Sequence, residues 1–202
     1  LDIQRLDSLV FKVFEELYFP KISQAERESF GFNVASLAGF IYDRLAGSLR
    51  EQGYSAQEVD AVLALRPQRL GEVPKRLTAV RAFAALPEAA ALAAANKRIG
   101  NILKKAEGTV EAKVDAQLLK EPAEQALHGA LHSVQPLADK LYANGEYAAS
   151  LRELAVLKAP VDAFFDGVMV NAEDAALRAN RLGLLKSLHE AMNRVADLSR
   201  LA

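Results

Sequence analysis

Two short polar clusters stand out from an otherwise apolar chain. The first is Asn96-Lys97-Arg98, followed by Asn101, Lys104 and Lys105. Amides and guanidiniums so grouped can donate to base edges or hold phosphate oxygens. The helix dipole accounts for Lys104 and Lys105, because cations favour the last turn of a helix. It does not account for Asn96, since asparagine is a poor helix-interior residue. The second cluster is Arg178-Ala179-Asn180-Arg181. Cations in the opening turns of a helix run against the dipole, so something else must hold Arg178 and Arg181. An ion pair with Asp162 or Asp166 is one candidate, and a ligand carrying phosphates or base edges is the other. Phe164 and Phe165 lie upstream of this cluster. Neighbours on a helix diverge by about 100°, so the two rings cannot enter the same core. Core packing and a stacking face are the two readings for such adjacent aromatics.

Other chemistry is sparse. His128 and His132 have the i, i+4 spacing that lets two imidazoles share a metal. No third ligand is in register, so exposed surface histidines are the plainer reading. Glu121, Glu124 and the scattered aspartates read as solvated helix faces. There is no glycine-rich phosphate loop, no G-x-S-x-G and no H-E-x-x-H. The chain has no cysteine, which excludes a disulfide scaffold, a zinc–thiolate site and a cysteine nucleophile.

These side chains must be positioned by a globular chain of 202 residues, 51% hydrophobic and 25% charged, with net charge −1. Such a balance argues against a nucleic-acid coat but leaves room for a local basic patch. No apolar run approaches the roughly 20 residues of a membrane span. The opening Leu1-Asp2-Ile3 is charged rather than leader-like, and it lacks a methionine, as the inside of a longer chain would.

Alanine and leucine supply about a third of the residues, and both favour helix. The only strand candidates, 168–170 and the stretch near Phe30, do not alternate convincingly, so the chain reads as all-α. Leu6, Leu9, Val10, Val13, Phe14 and Leu17 predict a first helix ending at Pro20. A second covers about 33–52 and stops at Gly53. Ser55-Ala56-Gln57-Glu58 is a capping box for a third, which Arg66-Pro67 ends. Pro74 and Pro87 suit the first turns of a fourth and a fifth, the latter running to about Lys105. Residues 107–119 read as a loop with at most one helical turn. Pro122 starts a long helix with a kink or break expected at Pro136. Asn144-Gly145 is a tight turn, a further helix covers about 146–158, and the last spans about 174–200. A soft boundary near Arg66, Pro67, Gly71 and Pro74 divides a small helical region, 1–70, from a larger bundle, 71–202.

Several strings resemble the β subunit family of bacterial tetrameric glycyl-tRNA synthetase. They are Ala-Leu-Ala-Ala-Ala-Asn-Lys-Arg-Ile-Gly-Asn-Ile-Leu-Lys-Lys at 91–105, Pro-Val-Asp-Ala-Phe-Phe-Asp-Gly-Val-Met-Val-Asn at 160–171, and Leu-Arg-Ala-Asn-Arg-Leu-Gly-Leu-Leu at 177–185. Val195-Ala196-Asp197-Leu198-Ser199 matches the end of that subunit, and shorter agreements extend back to about Leu49. The resemblance implies a small N-terminal helical region followed by a larger all-helical, DALR-like anticodon-binding bundle. The signature itself is only loosely present, as Asp174-Ala175-Ala176-Leu177-Arg178. The family's upstream HD-type helical domain has no counterpart in these residues.

The resemblance further implies an α2β2 ligase in the cytoplasm that attaches glycine to tRNA(Gly). Catalysis, with its ATP and magnesium, would lie on the α subunit, and these 202 residues would hold no catalytic site and no cofactor. Glycine anticodons end in two cytosines, whose edges need one acceptor and two donors. The residues of suitable type are Asn96, Lys97, Arg98, Asn101, Asp162, Phe165, Arg178, Asn180 and Arg181. On that expectation Arg181 lays its stem on apolar surface and sends its guanidinium outward. The alternative is a helical docking or scaffold module with its cations in intramolecular ion pairs.

Overall fold

The structure, a computed structural model, describes residues 34–202, with side chains from residue 39 onward. The first expected helix and the strand candidate near Phe30 lie outside the described residues. Within them the order is α1 (Val34–Glu51), α2 (Ala56–Leu63), α3 (Val73–Ala84), α4 (Ala89–Lys105), α5 (Pro122–Ala143), α6 (Tyr147–Ala155), α7 (Lys158–Gly167) and α8 (Ala175–Met192). Short 3-10 turns occupy Leu70–Glu72, Ala116–Leu118 and Leu198–Leu201. No strand occurs among the described residues, so the chain is all-α as its sequence indicates.

Local chemistry explains most boundaries. Gly53 ends α1 in the left-handed region, at φ +88°, where glycine carries no Cβ penalty. Ser55 Oγ accepts from the Glu58 N–H at 3.1 Å, and the Glu58 carboxylate accepts from the Ser55 N–H at 2.7 Å. This is the expected capping box. Arg81 Nε then donates to Glu58 Oε1 at 2.7 Å. The Arg81 guanidinium holds the Glu58 carboxyl down to about 2, although burial pulls the other way.

Three expectations are corrected. Of the kink or break expected at Pro136, the break does not occur: the long helix is continuous to Ala143. Pro136 is exposed, so the His132 carbonyl that loses its i+4 donor lies on the wet side and water can serve it. The helix expected over about 146–158 is α6, which ends earlier, at Ala155, and a separate helix α7 begins at Lys158 with Pro160 inside its first turn. The last helix stops at Met192, well short of residue 200. Its C-cap Asn193 is held by partners outside the helix, and Arg76 Nη1 takes the Arg194 and Val195 carbonyls at 3.0 and 2.9 Å. Those bonds offer the backbone more than another helical turn would.

The core runs through every helix. Phe83, Leu92, Ile99, Leu127, Leu151, Phe164, Leu184, Leu185 and Leu188 are among its fully or almost fully buried large side chains. Helix α4 enters it through Ala89, Leu92, Ala93 and Ile99, and the small side chains let neighbouring backbones approach closely. Residues before 71 share this core: Val59, Ala61 and Val62 are buried in it, and the Asp197 N–H donates to the Ala61 carbonyl at 2.8 Å.

Residues 107–119 form a strap over α8. The buried Asn180 amide accepts from the Asp115 N–H at 2.7 Å and donates to its carbonyl at 3.1 Å. Three residues on, Gly183 leaves room for the strap, since a Cβ there would stand 2.1 Å from the Lys113 carbonyl oxygen. No flexible side chain can yield in that contact, because the opposing atom is backbone. Gly183→Ala should therefore displace the strap and destabilise by roughly 1–3 kcal/mol, the usual cost of overpacking. Thermal melting, with proteolysis of residues 107–119, measures both effects. In acid, the contribution of Glu58 is complete above its unfolded value of 4.5 and fades toward about 2. Glu58→Gln should therefore flatten the fall of melting temperature across that window.

Candidate functional site

Three of the sequence-selected side chains are interior. Asn96 is fully buried; its Nδ2 donates to Asn193 Oδ1 at 2.8 Å, and its Oδ1 accepts from Asn193 Nδ2 at 3.1 Å. This pairing answers the anomaly of an asparagine inside α4, because every amide atom has a partner. Asn180 is the strap anchor described above. Arg181 is 5% exposed. Its Nε donates to Glu124 Oε1 at 2.6 Å, and its Nη1 donates to the Met169 carbonyl at 2.8 Å. The guanidinium thus points inward. Neither Asp162 nor Asp166 is its partner: Asp162 takes the Lys158 ammonium at 2.7 Å, one turn away on α7.

Glu124, expected as a solvated face, is fully buried. Its Oε2 accepts from the N–H groups of Lys120 and Glu121 at 2.8 and 2.7 Å, closing the N-terminus of α5. Burial alone would raise this carboxyl; the Arg181 guanidinium and the backbone donors outweigh it and hold it below the ordinary carboxylate value. The spacing Glu121-Pro122-Ala123-Glu124 was the available signal, with an acid three residues into a helix that proline opens.

The other selected residues are at the surface, on two sides of α4. Arg98, Ile102 and Lys105 form one stripe at helical spacing. The exposed Arg98 guanidinium lies 4.1 Å from the centroid of the Phe165 ring, a close cation–π stack. Phe164 is fully buried while Phe165 is half-buried beneath Arg98, with the rings edge to face. The adjacent phenylalanines have divided, one to the core and one to the surface. Ile102 and Lys105 continue into a groove of about 610 Å³ whose far wall is Asn171, Arg178 and Ala179. Arg178 is half-buried and donates to the Ala172 carbonyl at 2.7 Å and the Glu173 carbonyl at 3.4 Å. On the other side, Lys97, Asn101 and Lys104 line a groove of about 600 Å³ with His189 and Arg200. Burial pushes the His189 imidazole down, and Lys186 and Lys104 add to the effect.

Arg98, Lys104 and Lys105 form no ion pair among the described residues, unlike the buried Arg76 and Arg181, while the Lys97 ammonium donates to the Ala202 oxygen at 3.4 Å. Unpaired cations beside a stacked ring and an open groove can hold phosphates and carry a base on the guanidinium or ring plane. His128 and His132 stack on each other with centroids 6.3 Å apart. No group of three or more candidate metal-binding side chains occurs among the described residues. No single described helix is long and apolar enough to cross a membrane.

The described residues form an all-helical bundle with an open groove between α4 and α8. Residues 92–198 match the family model described as the DALR anticodon binding domain, and the chain belongs to that family. A glycine–tRNA ligase beta subunit from Leptothrix cholodnii is 79% identical over 167 residues, 83% of this chain and 23% of that protein. The beta subunit from Dechloromonas aromatica is 71% identical over 174 residues, 85% of this chain and 24% of that protein. That from a Janthinobacterium species is 66% identical over 184 residues, 90% of this chain and 26% of that protein. The chain spans about a quarter of the length of these relatives.

Arg181→Met should strand the buried Glu124 charge and cost roughly 3–5 kcal/mol of stability at neutral pH. The loss should shrink in acid. There the native protein forfeits the advantage of its depressed carboxyl, while the variant gains by protonating Glu124. Thermal melts of both proteins from pH 7 to pH 3 test the sign.

Proposed function

We propose that this chain is the anticodon-binding part of a glycyl-tRNA synthetase β subunit, acting in a ligase that joins glycine to tRNA(Gly). The observation that carries the reading is the Arg98–Phe165 stack at the edge of a groove lined by Lys105, Asn171 and Arg178. The family match and the beta-subunit relatives support it.

In this reading the binding domain is 71–202, and of the N-terminal region 1–70 the described helices α1 and α2 pack against it. Arg98 and Phe165 stack an unstacked base of the anticodon loop. Arg178 faces the groove with its backbone-held guanidinium edge, and Lys97, Asn101, Lys104 and Lys105 hold the RNA strand. Asn96, Asn180 and Arg181 keep α4, the strap and α8 in register rather than touching RNA, and Asp162 fixes the surface of α7 through Lys158. The aminoacylation site, its ATP and its magnesium lie on the α subunit of an α2β2 assembly in the cytoplasm. No catalytic or cofactor-binding role falls to these residues.

Binding of tRNA(Gly) to the chain, followed as a function of salt, tests this. Affinity should fall linearly in log–log form, and Lys105→Ala should reduce the slope by somewhat less than one, as for a single phosphate contact. Arg98→Ala should cost roughly 1–3 kcal/mol of binding and leave the melting temperature nearly unchanged, since Arg98 is exposed. Salt-independent association through an apolar face would instead make the chain a docking module.

A further inference from the structure

Met169 is the most exposed large hydrophobic side chain among those described, at 72%. Its exposure is imposed by its neighbours. Val168 and Val170 are both buried, and Val168 is extended at φ −115°, ψ 123°. In extended backbone, consecutive side chains point to opposite sides, so anchoring the two valines turns Met169 out. The backbone is also clamped. Arg181 holds the Met169 carbonyl at 2.8 Å, Arg178 holds the Ala172 carbonyl at 2.7 Å, and Asp174 caps α8 through the Ala176 and Leu177 N–H groups at 2.8 and 3.1 Å. An apolar side chain displayed by a rigid segment loses little entropy on binding.

The surroundings indicate what that contact is. In the chain, Met169 lies between Phe165, which carries the Arg98 guanidinium, and Asn171, which lines the groove with Lys105 and Arg178. A partner here must present an apolar face while tolerating several cations. A nucleobase on its phosphate backbone does both, and a polarizable thioether packs well on an aromatic plane. We propose that Met169 is a base-contacting residue of the anticodon-loop interface, packing against the face of a loop base that the clamped 168–174 segment receives. This rests on the anticodon-binding reading.

The test compares Met169→Ala, Met169→Leu and Lys105→Ala, using tRNA(Gly) and the same RNA with the three anticodon bases made abasic. Met169→Ala should weaken binding to intact tRNA about tenfold, as loss of a single base-stacking contact does. It should keep the wild-type salt slope and melting temperature, and have no effect on the abasic RNA. Met169→Leu should restore most of the affinity, and Lys105→Ala should weaken both RNAs alike. Wild-type affinity in Met169→Ala, or an equal loss on the abasic RNA, overturns the role of Met169 and leaves the anticodon reading standing. If the wild-type chain itself binds intact and abasic RNA equally, the anticodon reading falls and this inference with it.

Discussion

The Glu124–Arg181 ion pair is the interaction on which the geometry of the groove depends. Two charges buried to this degree are tolerated only when their remaining hydrogen-bonding capacity is filled. Glu124 closes the first turn of α5 with two backbone donors, and Arg181 reaches past it to the Met169 carbonyl. The start of α5, the second turn of α8 and the segment leaving α7 are therefore set by one contact. Charge-assisted bonds of this length have narrow geometry, so none of the three can shift alone. One turn back on α8, Arg178 holds the same segment from its outer side.

Neutral polar groups repeat the device elsewhere. The Asn96–Asn193 amide pair fixes α4 against the end of α8, and Asn193 Oδ1 also accepts from the Leu198 N–H at 3.0 Å. The Asn180–Asp115 pair fixes the strap, which Gly183 admits by having no side chain. Arg76, lying 4.9 Å from the Tyr147 ring centroid and bonded to the Tyr142 hydroxyl at 3.0 Å, fixes the turn after α8. The buried polar residues are engaged internally, while Arg98, Lys104 and Lys105 on the exposed side of α4 form no ion pair among the described residues. Interior polar pairs supply rigidity, and the proposed binding surface is made of exposed cations with a half-buried ring.

Much of the architecture was legible along the chain, and the misreadings share a cause. Helix starts at Ser55, Pro74 and Pro122 rest on caps and prolines, which act within one turn and can be read within one turn. The division of Phe164 from Phe165 followed from the angle between neighbouring helical residues. Pro136 does not break its helix, because a proline's cost depends on whether the freed carbonyl meets water, which its exposure decides. Cations early in α8 do need partners: Arg178 finds nearby backbone carbonyls, whereas the partner of Arg181, Glu124, lies 57 residues away in the chain.

What the sequence determined by itself is what short-range physics determines: an all-helical chain, the positions of its caps, and two polar clusters that plain helix propensity does not explain. Which members of those clusters face outward was a tertiary decision. Asn96 and Arg98 are two residues apart on one helix, yet one meets Asn193 in the core and the other lies over Phe165 at the surface. Arg178 and Arg181 share a helical face, yet one borders the groove and the other is sealed inside. Spacing along a helix sets the relative directions of side chains. Only the packing of distant segments sets which direction is inside, because burying a charge is favourable only where another element brings its partner.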